Sequence, residues 1–226
     1  MKKMIKKTIL CLFLITNSFA RETISGSRFE LLTGTRRSGE TKGFWDKKFA
    51  QNNYVYGKTP AKFLARNFDF IPSGARVLDI GMGEGRNAVF LATKGFKVTG
   101  IDISNVAIKK ARMLAREFGV RIETVHKSVN DYDVPKNSVD AIICFYYVDR
   151  EIVQKLMGWL KPGGVLFFEG YTLKEKEMNG MKEKDSYLLK NDELLSLFPK
   201  FNILKYEQPL HRSEFTASII VQKPKE

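Results

Sequence analysis

The segment with the strongest chemical signature runs from Val77 to Arg86 and reads VLDIGMGEGR. Its glycines, Gly81, Gly83 and Gly85, stand at alternate positions between an apolar run and a helical pattern. Because glycine has no Cβ, such a turn lets the backbone approach a ligand closely and leaves the N–H groups at the start of the helix free to bind it. The pattern predicts a ligand site where a strand meets a helix; a tight turn without a ligand is the alternative.

Two carboxylates accompany this turn. Asp79 lies just before it, and Asp102 ends the next apolar run, 21 residues after Gly81. A carboxylate at the end of that strand can accept hydrogen bonds from both hydroxyls of an adenosine ribose. A dinucleotide-binding G-x-G-x-x-G motif would need glycine where Arg86 stands, and a carboxylate at Asp79 would repel a pyrophosphate. The sequence therefore disfavours NAD and favours an adenosine ligand that carries a positive charge.

The chain resembles the class I S-adenosylmethionine-dependent methyltransferases over residues 44–223. Besides the turn and Asp102, the resemblance rests on Asp140-Ala141-Ile142-Ile143 and Leu160-Lys161-Pro162-Gly163-Gly164. Further motifs resemble the small-molecule methyltransferases of the tellurite-resistance and thiopurine type: Phe44-Trp45-Asp46, Tyr54-Val55-Tyr56-Gly57, Pro60, Gly85-Arg86-Asn87 and Asp131-Tyr132-Asp133-Val134-Pro135.

The resemblance implies S-adenosylmethionine as the cofactor and assigns its contacts. The glycine turn would hold the methionine moiety, with Asp79 near its ammonium, and Asp102 would bind the ribose. Ile103 would pack on the adenine. Relatives often carry an acid for the adenine amino group where Ser128 stands, which leaves Val129 to contribute backbone and apolar contact.

Methyl transfer from a sulfonium is an in-line displacement, so alignment and the exclusion of water supply most of the acceleration. We assign no catalytic residue, and Val148 stands where some relatives carry histidine, so a histidine base is absent there. A thiol, a chalcogen or a similar soft nucleophile needs little help, whereas a phenol or alcohol would need a base. The residues predicted to line a small-molecule acceptor pocket are Tyr56, Arg86, Tyr146, Tyr147 and Tyr171.

Cysteine and histidine are sparse. The chain has only Cys11, Cys144, His126 and His211, which lie too far apart in sequence to suggest a metal site. Cys144 belongs to the predicted cofactor-binding set and is interpreted as a small buried hydrophobe, since no base motif accompanies it. The residues Cys144-Phe145-Tyr146-Tyr147 also differ from the Asn/Asp-Pro-Pro-aromatic signature of enzymes that methylate exocyclic amines of nucleic acid bases.

The formal net charge is +13, from 38 Lys and Arg against 25 Asp and Glu. Four lysines lie in the first seven residues, so 13 − 4 leaves +9 for the rest. The charges of residues 172–190 nearly cancel, so we expect a mobile solvated loop there. The family resemblance implies that this segment covers the acceptor site as a lid. A basic helix around residues 109–116 could meet RNA. An RNA methyltransferase and a non-catalytic S-adenosylmethionine-binding protein are the alternatives to a small-molecule methyltransferase, and nucleic acid is the less favoured partner.

Residues 1–20 have a basic head, an apolar run and the small residues Ser18 and Ala20 before a possible cleavage site. This tripartite pattern predicts a secretory signal peptide, export and a mature chain that starts at Arg21. The apolar run is shorter than the ~20 residues that span a bilayer, so we expect no stable membrane span. Retention in the cytoplasm with an uncleaved tail is the alternative.

Apolar periodicity, together with the glycine, proline and capping residues between periodic segments, predicts the helices and strands that carry these residues. Residues 21–43 are predicted to be irregular, and residues 44–224 to form one Rossmann-like α/β domain. We expect a mostly parallel seven-stranded sheet with an antiparallel C-terminal hairpin and helices on both faces. The predicted strands are 75–80, 96–101, 121–126, 141–146, 165–168, 202–206 and 215–221, and the predicted helices are 87–93, 105–118 and 151–160. Ser104 is predicted to cap the helix 105–118, and Phe118 to lie on its apolar face. Lys161-Pro162-Gly163-Gly164 is predicted to form a turn.

Overall fold

A seven-stranded sheet organises the chain in the computed structural model, which describes residues 38–209 and 214–225. The strands are β1 (Arg76–Ile80), β2 (Lys97–Asp102), β3 (Glu123–His126), β4 (Val139–Phe145), β5 (Leu160–Tyr171), β6 (Asn202–Glu207) and β7 (Thr216–Gln222). Their order is β3-β2-β1-β4-β5-β7-β6. Strands β1 to β5 run parallel, and β7 pairs antiparallel with both β5 and β6. The predicted sheet and its C-terminal hairpin are confirmed.

Helices connect the strands. They are α1 (Ser38–Phe49), α2 (Lys62–Asn67), α3 (Arg86–Thr93), α4 (Asn105–Glu117), α5 (Val153–Trp159), α6 (Leu173–Asn179) and α7 (Glu193–Leu197). Short 3-10 turns occupy Phe68–Phe70, Val129–Asp131 and Asp185–Tyr187. As expected, Ser104 caps α4, where its hydroxyl accepts a hydrogen bond from the backbone N–H of Ala107 at 3.1 Å.

Both faces of the sheet are covered by apolar layers. On β4, Ile142 belongs to one buried cluster and Ile143 to the other, because successive side chains of a strand point to opposite faces. The Ile142 layer packs with α5, for example through Leu156, and the Ile143 layer packs with α3 and α4, for example through Leu91 and Ile108. Helices therefore cover both faces, as predicted.

Two segments that were predicted to lie outside the helices and strands belong to them instead. Helix α1 begins at Ser38, inside the stretch predicted to be irregular. The Pro162-Gly163-Gly164 stretch, predicted as a turn before a short strand, instead lies inside β5, where the register with β4 shifts. Gly163 and Gly164 exchange backbone hydrogen bonds of 2.9 Å with Lys223, so pairing with the end of the chain keeps this stretch in the sheet.

The residues after β5 also differ from the expected mobile solvated loop. They form α6 and a 3-10 turn, and Leu188 and Leu189 are buried. The N–H of Leu189 donates to the carbonyl of Tyr171 at 2.8 Å, and the N–H of Leu173 donates to the carbonyl of Leu189 at 2.9 Å. The prediction considered only the balanced charges and not these two leucines. Their burial and the hydrogen bonds fold the segment against the end of β5, so it is not solvated throughout.

Other predictions concern residues that the structure does not describe, and one concerns the apolar face of α4. The signal peptide, residues 21–37 and His211 lie outside the described residues. Phe118, predicted on the apolar face of α4, is half exposed at its C-terminal end, and Ile108 is buried on that face instead. Across residues 38–209 and 214–225, no helix has the length and apolar character needed to cross a bilayer.

Candidate active site

The glycine turn after β1 has the backbone geometry that its sequence predicts. Gly81, Gly83 and Gly85 have φ angles of +65°, +58° and +84°, a region that side-chain-bearing residues rarely adopt. A Cβ at Gly85 would lie 2.7 Å from the Cβ of Ala111, so glycine is also what allows α3 to start close to α4. The turn therefore needs glycine both for its conformation and for its packing.

Asp79, at the end of β1, carries a polar atom without a partner. Its side chain is 2% exposed, and among the residues that the structure describes Oδ2 has no hydrogen-bond partner. Burial, with a smaller contribution from nearby Asp102, raises the pKa of Asp79 to about 8, although Arg86 and the backbone N–H of Ala88 oppose the shift. A buried acceptor left unsatisfied is costly. This oxygen therefore fits a cationic group of a ligand seated on the glycine turn.

Asp102 ends β2 and is already engaged by the backbone. Its two carboxylate oxygens accept hydrogen bonds from the N–H of Gly83 at 2.8 Å and from the N–H of Ser104 at 2.7 Å. Burial raises the pKa of Asp102, and these two hydrogen bonds oppose the rise. Carboxylate oxygens can each accept more than one hydrogen bond, so ribose hydroxyls can still bind. Asp102 thus both shapes the turn and remains available to a nucleoside.

The predicted adenine contacts lie beside Asp102. Ile103 is half-buried directly after it, and the N–H of Lys127 donates to the carbonyl of Asp102 at 3.1 Å. That bond places Ser128, half-buried, and Val129, buried, at the same carboxyl edge of the sheet. The four predicted positions therefore lie on two adjacent strand ends.

Two sets of contacts that were not predicted from the sequence fix the elements around the glycine turn. Asp46 of α1 accepts hydrogen bonds from the hydroxyl of Ser104 at 2.7 Å and from the N–H of Val106 at 3.3 Å. Burial would raise the pKa of Asp46, but its hydrogen bonds with Lys42 and Ser104 leave it lowered. Helix α1 is therefore fixed to the start of α4.

Glu84, between two glycines of the turn, makes the second of these missed contacts. It is buried, accepts a hydrogen bond from the N–H of Val55 at 2.7 Å and pairs with Nζ of Lys110 at 2.6 Å. The signal was present, since a charged residue inside a glycine turn needs a partner when the turn is buried.

Four of the five predicted acceptor residues come together at the carboxyl edge. The guanidinium of Arg86 lies 5.3 Å from the ring centre of Tyr146 and donates to the carbonyl of Tyr56 at 3.3 Å. The rings of Tyr146 and Tyr171 lie 4.8 Å apart. Tyr147 is placed differently: its side chain packs against the turn, 3.0 Å from where a Cβ of Gly81 would stand. It thus borders the predicted donor site.

Glu169 near the end of β5 is a site residue that the sequence analysis missed. Its Oε1 accepts the hydroxyl of Tyr146 at 2.6 Å, and its Oε2 accepts the hydroxyl of Ser218 at 2.6 Å. Burial raises the pKa of Glu169, while Ser218, Tyr146 and Arg86 oppose the rise. A single acid in the apolar run of β5 was the available signal, but its partners come from distant parts of the chain.

Cys144 and Val148 have inert surroundings. Cys144 is fully buried, and its sulfur donates to the carbonyl of Tyr147 at 3.2 Å. Burial raises the pKa of the Cys144 thiol well above its ordinary value. Its side chain therefore serves as a small buried hydrophobe, and contact with a ligand is left to its backbone. Val148 is buried. Within the described part of the chain, no group of three or more potential metal-ligating side chains could hold an ion.

The comparisons with known proteins agree with this geometry. Residues 77–164 match the family model described as a methyltransferase domain. The chain is 36% identical over 130 residues to a ubiquinone biosynthesis O-methyltransferase of Xanthomonas axonopodis pv. citri (strain 306), a match that covers 55% of this chain and 54% of the relative. A relative of the same description from Xylella fastidiosa (strain 9a5c) is 32% identical over 135 residues, covering 56% and 54%. The chain thus spans about half the length of these curated relatives.

Solved structures share the fold at low sequence identity. The [4+2]-cyclase SpnF has a TM-score of 0.69 and 18% identity, covering 85% of this chain and 98% of that one. A SAM-dependent methyltransferase from Methanosarcina mazei has a TM-score of 0.58 and 20% identity, covering 74% and 100%. TehB from Haemophilus influenzae has a TM-score of 0.60 and 18% identity, covering 80% and 66%.

The matched segment and the fold confirm the predicted resemblance to the class I S-adenosylmethionine-dependent methyltransferases. This family and fold imply S-adenosylmethionine as the cofactor. The unpartnered buried oxygen of Asp79 fits the ammonium that this cofactor carries. The finer resemblance to the tellurite-resistance and thiopurine type stays a prediction.

Proposed function

We propose that this protein transfers a methyl group from S-adenosylmethionine to a small-molecule nucleophile. The observation that carries the proposal is the buried, unpartnered Oδ2 of Asp79 beside the glycine turn. Asp102 stands at the adjacent strand end, where it can bind the ribose. When bound, the cofactor supplies a methyl group already activated by its sulfonium, so the protein needs chiefly to bind, orient and exclude water.

The chain's own residues divide this work. Asp79 and the glycine turn would hold the methionine end, and Tyr147 would border it where its ring packs on Gly81. Phe49 of α1 and the residues around Val55 lie against the turn and would limit the access of water to the donor.

The cluster of Arg86, Tyr146 and Tyr171 supports a small aromatic or anionic acceptor. Two flat aromatic walls and one guanidinium at the same sheet edge offer stacking and charge recognition. The similar ubiquinone biosynthesis O-methyltransferases favour an oxygen acceptor. The likeness to TehB concerns the fold alone, so a thiol or chalcogen acceptor is kept as the alternative.

The RNA methyltransferase is less well supported. A surface groove does carry basic side chains, but it lies at the amino ends of β1 to β3, about 16 Å along β1 from the glycine turn. A nucleic acid held there would not bring its base to the donor. The basic residues that line the groove are Arg76, Lys97, Arg112, Arg116 and Arg121.

The test combines donor binding with methyl transfer. Isothermal titration with S-adenosylmethionine and S-adenosylhomocysteine should give saturable binding that Asp79→Asn weakens. Labelled methyl transfer to a panel of phenols, thiols and selenols should then give turnover. No binding would overturn the proposal entirely, and binding without transfer to any member of the panel would favour the non-catalytic alternative. That alternative is a real one, because a [4+2]-cyclase shares this fold.

A further inference from the structure

We propose that Tyr146 and Glu169 form a proton relay for the hydroxyl of the acceptor, and that the acceptor is a phenol. This inference rests on the proposed methyl transfer and names the substrate class of the same site. In the step, the acceptor O–H gives its proton to Oη of Tyr146, and the phenolic proton of Tyr146 moves to Oε1 of Glu169. The acceptor oxygen forms its bond to the methyl carbon, and the carbon–sulfur bond breaks with its electron pair going to sulfur.

The hydrogen bonds fix the direction of this relay. Both oxygens of Glu169 accept, one from Tyr146 and one from Ser218, each at 2.6 Å. An ionised carboxylate can only accept, so the Tyr146 hydroxyl must direct its proton toward Glu169. Its oxygen lone pairs remain able to accept a proton from a ligand. Glu169 itself is 5% exposed, so it can reach a substrate proton only through Tyr146.

The backbone places Tyr146 for this task. Tyr146 has a φ of +59°, a left-handed conformation that is unfavourable for a residue other than glycine. Its N–H donates to the carbonyl of Glu169 at 2.7 Å, which holds the strained residue in place. In the sheet, Ile80 pairs with Cys144, so Tyr146 follows β4 where the glycine turn follows β1. The relay therefore stands beside the predicted methionine site.

The charges around Glu169 suit a base. Arg86 from α3, Glu214 before β7 and the hydroxyls of Tyr146 and Ser218 face it. Burial raises the pKa of Glu169 above the ordinary value, and a base works best when its pKa approaches the operating pH. Burial also raises the pKa of Tyr146, with Glu169 adding to the effect, so Tyr146 begins as a neutral phenol and passes a proton on.

The relay distinguishes oxygen from sulfur acceptors. An aromatic thiol is largely ionised near neutral pH and needs no base. A phenol, with a pKa of about 10, is not ionised there and does need one. A buried carboxylate costs folding free energy, and a thiol methyltransferase would gain nothing for catalysis from it. The rings of Tyr146 and Tyr171, whose centres lie 4.8 Å apart at an interplanar angle of 40°, also present an aromatic surface to an aromatic acceptor.

Matched phenol and thiophenol pairs with one and two rings test the relay in the full chain. We expect Glu169→Gln and Tyr146→Phe each to lower kcat for phenols by about 100-fold or more, the usual range for a lost base. For thiophenols we expect changes of less than about threefold, because the thiolate needs no proton acceptor. The control Ser218→Ala disturbs the same hydrogen-bond network but leaves the carboxylate, and it should reduce both rates modestly and equally.

A spectroscopic measurement needs no turnover. With S-adenosylhomocysteine and 4-nitrophenol bound, the wild type should show a phenolate absorbance band at slightly acidic pH that Glu169→Gln lacks. Equal losses for phenols and thiophenols, unchanged phenol turnover in Glu169→Gln, or the same 4-nitrophenol spectrum in both proteins would overturn the relay. Turnover of thiophenols alone by the wild type would overturn it while keeping the proposed function. Failure of the wild type to methylate either class would contradict the proposed function itself.

Discussion

At the scale of single residues, the two buried aspartates of the site have different tasks. Asp102 already accepts hydrogen bonds from the N–H groups of Gly83 and Ser104, so it organises the turn before any ligand arrives. Asp79 leaves one oxygen without a partner among the residues described, so this oxygen is available to accept a hydrogen bond from a ligand. Substitutions of the two aspartates should therefore have different effects on ligand binding and on stability.

Asp102→Ala should lower the affinity for S-adenosylhomocysteine by about tenfold or more, because hydrogen bonds to a charged group contribute about 1.5–3 kcal/mol each. Arg86→Ala should lower it less, since the guanidinium lies over Tyr146 on the acceptor side. Isothermal titration measures both affinities, and melting temperatures without ligand show how much of the Asp102 effect comes from a loosened turn. An unchanged binding constant for Asp102→Ala would refute its assignment.

Asp79→Asn should weaken binding of S-adenosylhomocysteine but not of methylthioadenosine, which lacks the amino acid portion. Its pH dependence has a defined sign. The pKa of Asp79 is raised from 3.8 to about 8, so the folded protein holds a proton that the unfolded chain has lost, and wild-type stability falls as pH rises between those values. The melting temperature of Asp79→Asn relative to wild type should therefore rise from pH 5 to pH 8. A constant difference would show that Asp79 titrates normally.

Ser128→Asp should tighten binding of S-adenosylhomocysteine, because it restores an acceptor for the adenine amino group where Ser128 is half-buried. Ser128→Asn is the matched control, with similar size and no charge. Titration of the adenosine and inosine forms of the ligand reports the contact directly, since inosine lacks the amino group. If Ser128→Asp binds both forms equally, this loop holds adenine in another way.

At the scale of elements, the site depends on pieces that are distant in sequence. Glu84 joins the glycine turn both to the backbone at Val55 and to Lys110 of α4. Its side chain is 3% exposed and that of Lys110 is 13% exposed, so little water could replace either partner.

Glu84→Ala should lower the free energy of unfolding by about 3 kcal/mol, because it leaves a nearly buried lysine without its carboxylate. Urea denaturation measures the loss. Glu84→Gln, which keeps an acceptor for Val55, should lose less, and the double variant Glu84→Leu with Lys110→Met should recover part of the stability. Denaturation midpoints equal to wild type in all three would show that the pair contributes nothing.

Local sequence patterns predicted the elements that contain the glycine turn. They did not predict the site residues whose partners are distant in the chain, because those contacts form only in the folded sheet. The glycines, Asp79 and Asp102 carry their role in their spacing. Glu169 acquires its role only when β4, β5 and β7 meet, and no spacing within one segment encodes that contact. The same holds for Asp46, whose partner Ser104 is 58 positions away.

The errors have related physical causes. Pro162 and the two glycines after it have the composition of a turn, yet backbone hydrogen bonds between Lys223 and the two glycines keep this stretch in β5. In residues 172–190 the balanced charges indicated a solvated loop, but two adjacent leucines and the pairing with Tyr171 fold it. Composition describes what a segment prefers alone, and tertiary contacts override it.

At the scale of the whole molecule, the predicted export of the chain stays a prediction, since residues 1–37 lie outside the described residues. The tripartite start predicts cleavage after Ala20 and a mature chain from Arg21. Mass spectrometry of the protein from its native host checks it: a chain that begins at Arg21 in the envelope or medium is expected. An intact Met1 chain in the cytosol would contradict export.

Because Cys144 is buried, the reactivity of its thiol can report on local opening of the central sheet without an added label. The chain has two cysteines, so in a Cys11→Ser variant a thiol reagent reports on position 144 alone. Its sulfur lies in β4, between β1 and β5, and is fully buried, so modification requires these strands to separate locally. The rate of modification then gives the free energy of that opening, as amide exchange does for backbone groups. A nucleoside that bridges the ends of β1 and β2 would register as a slower reaction of a sulfur that it never touches.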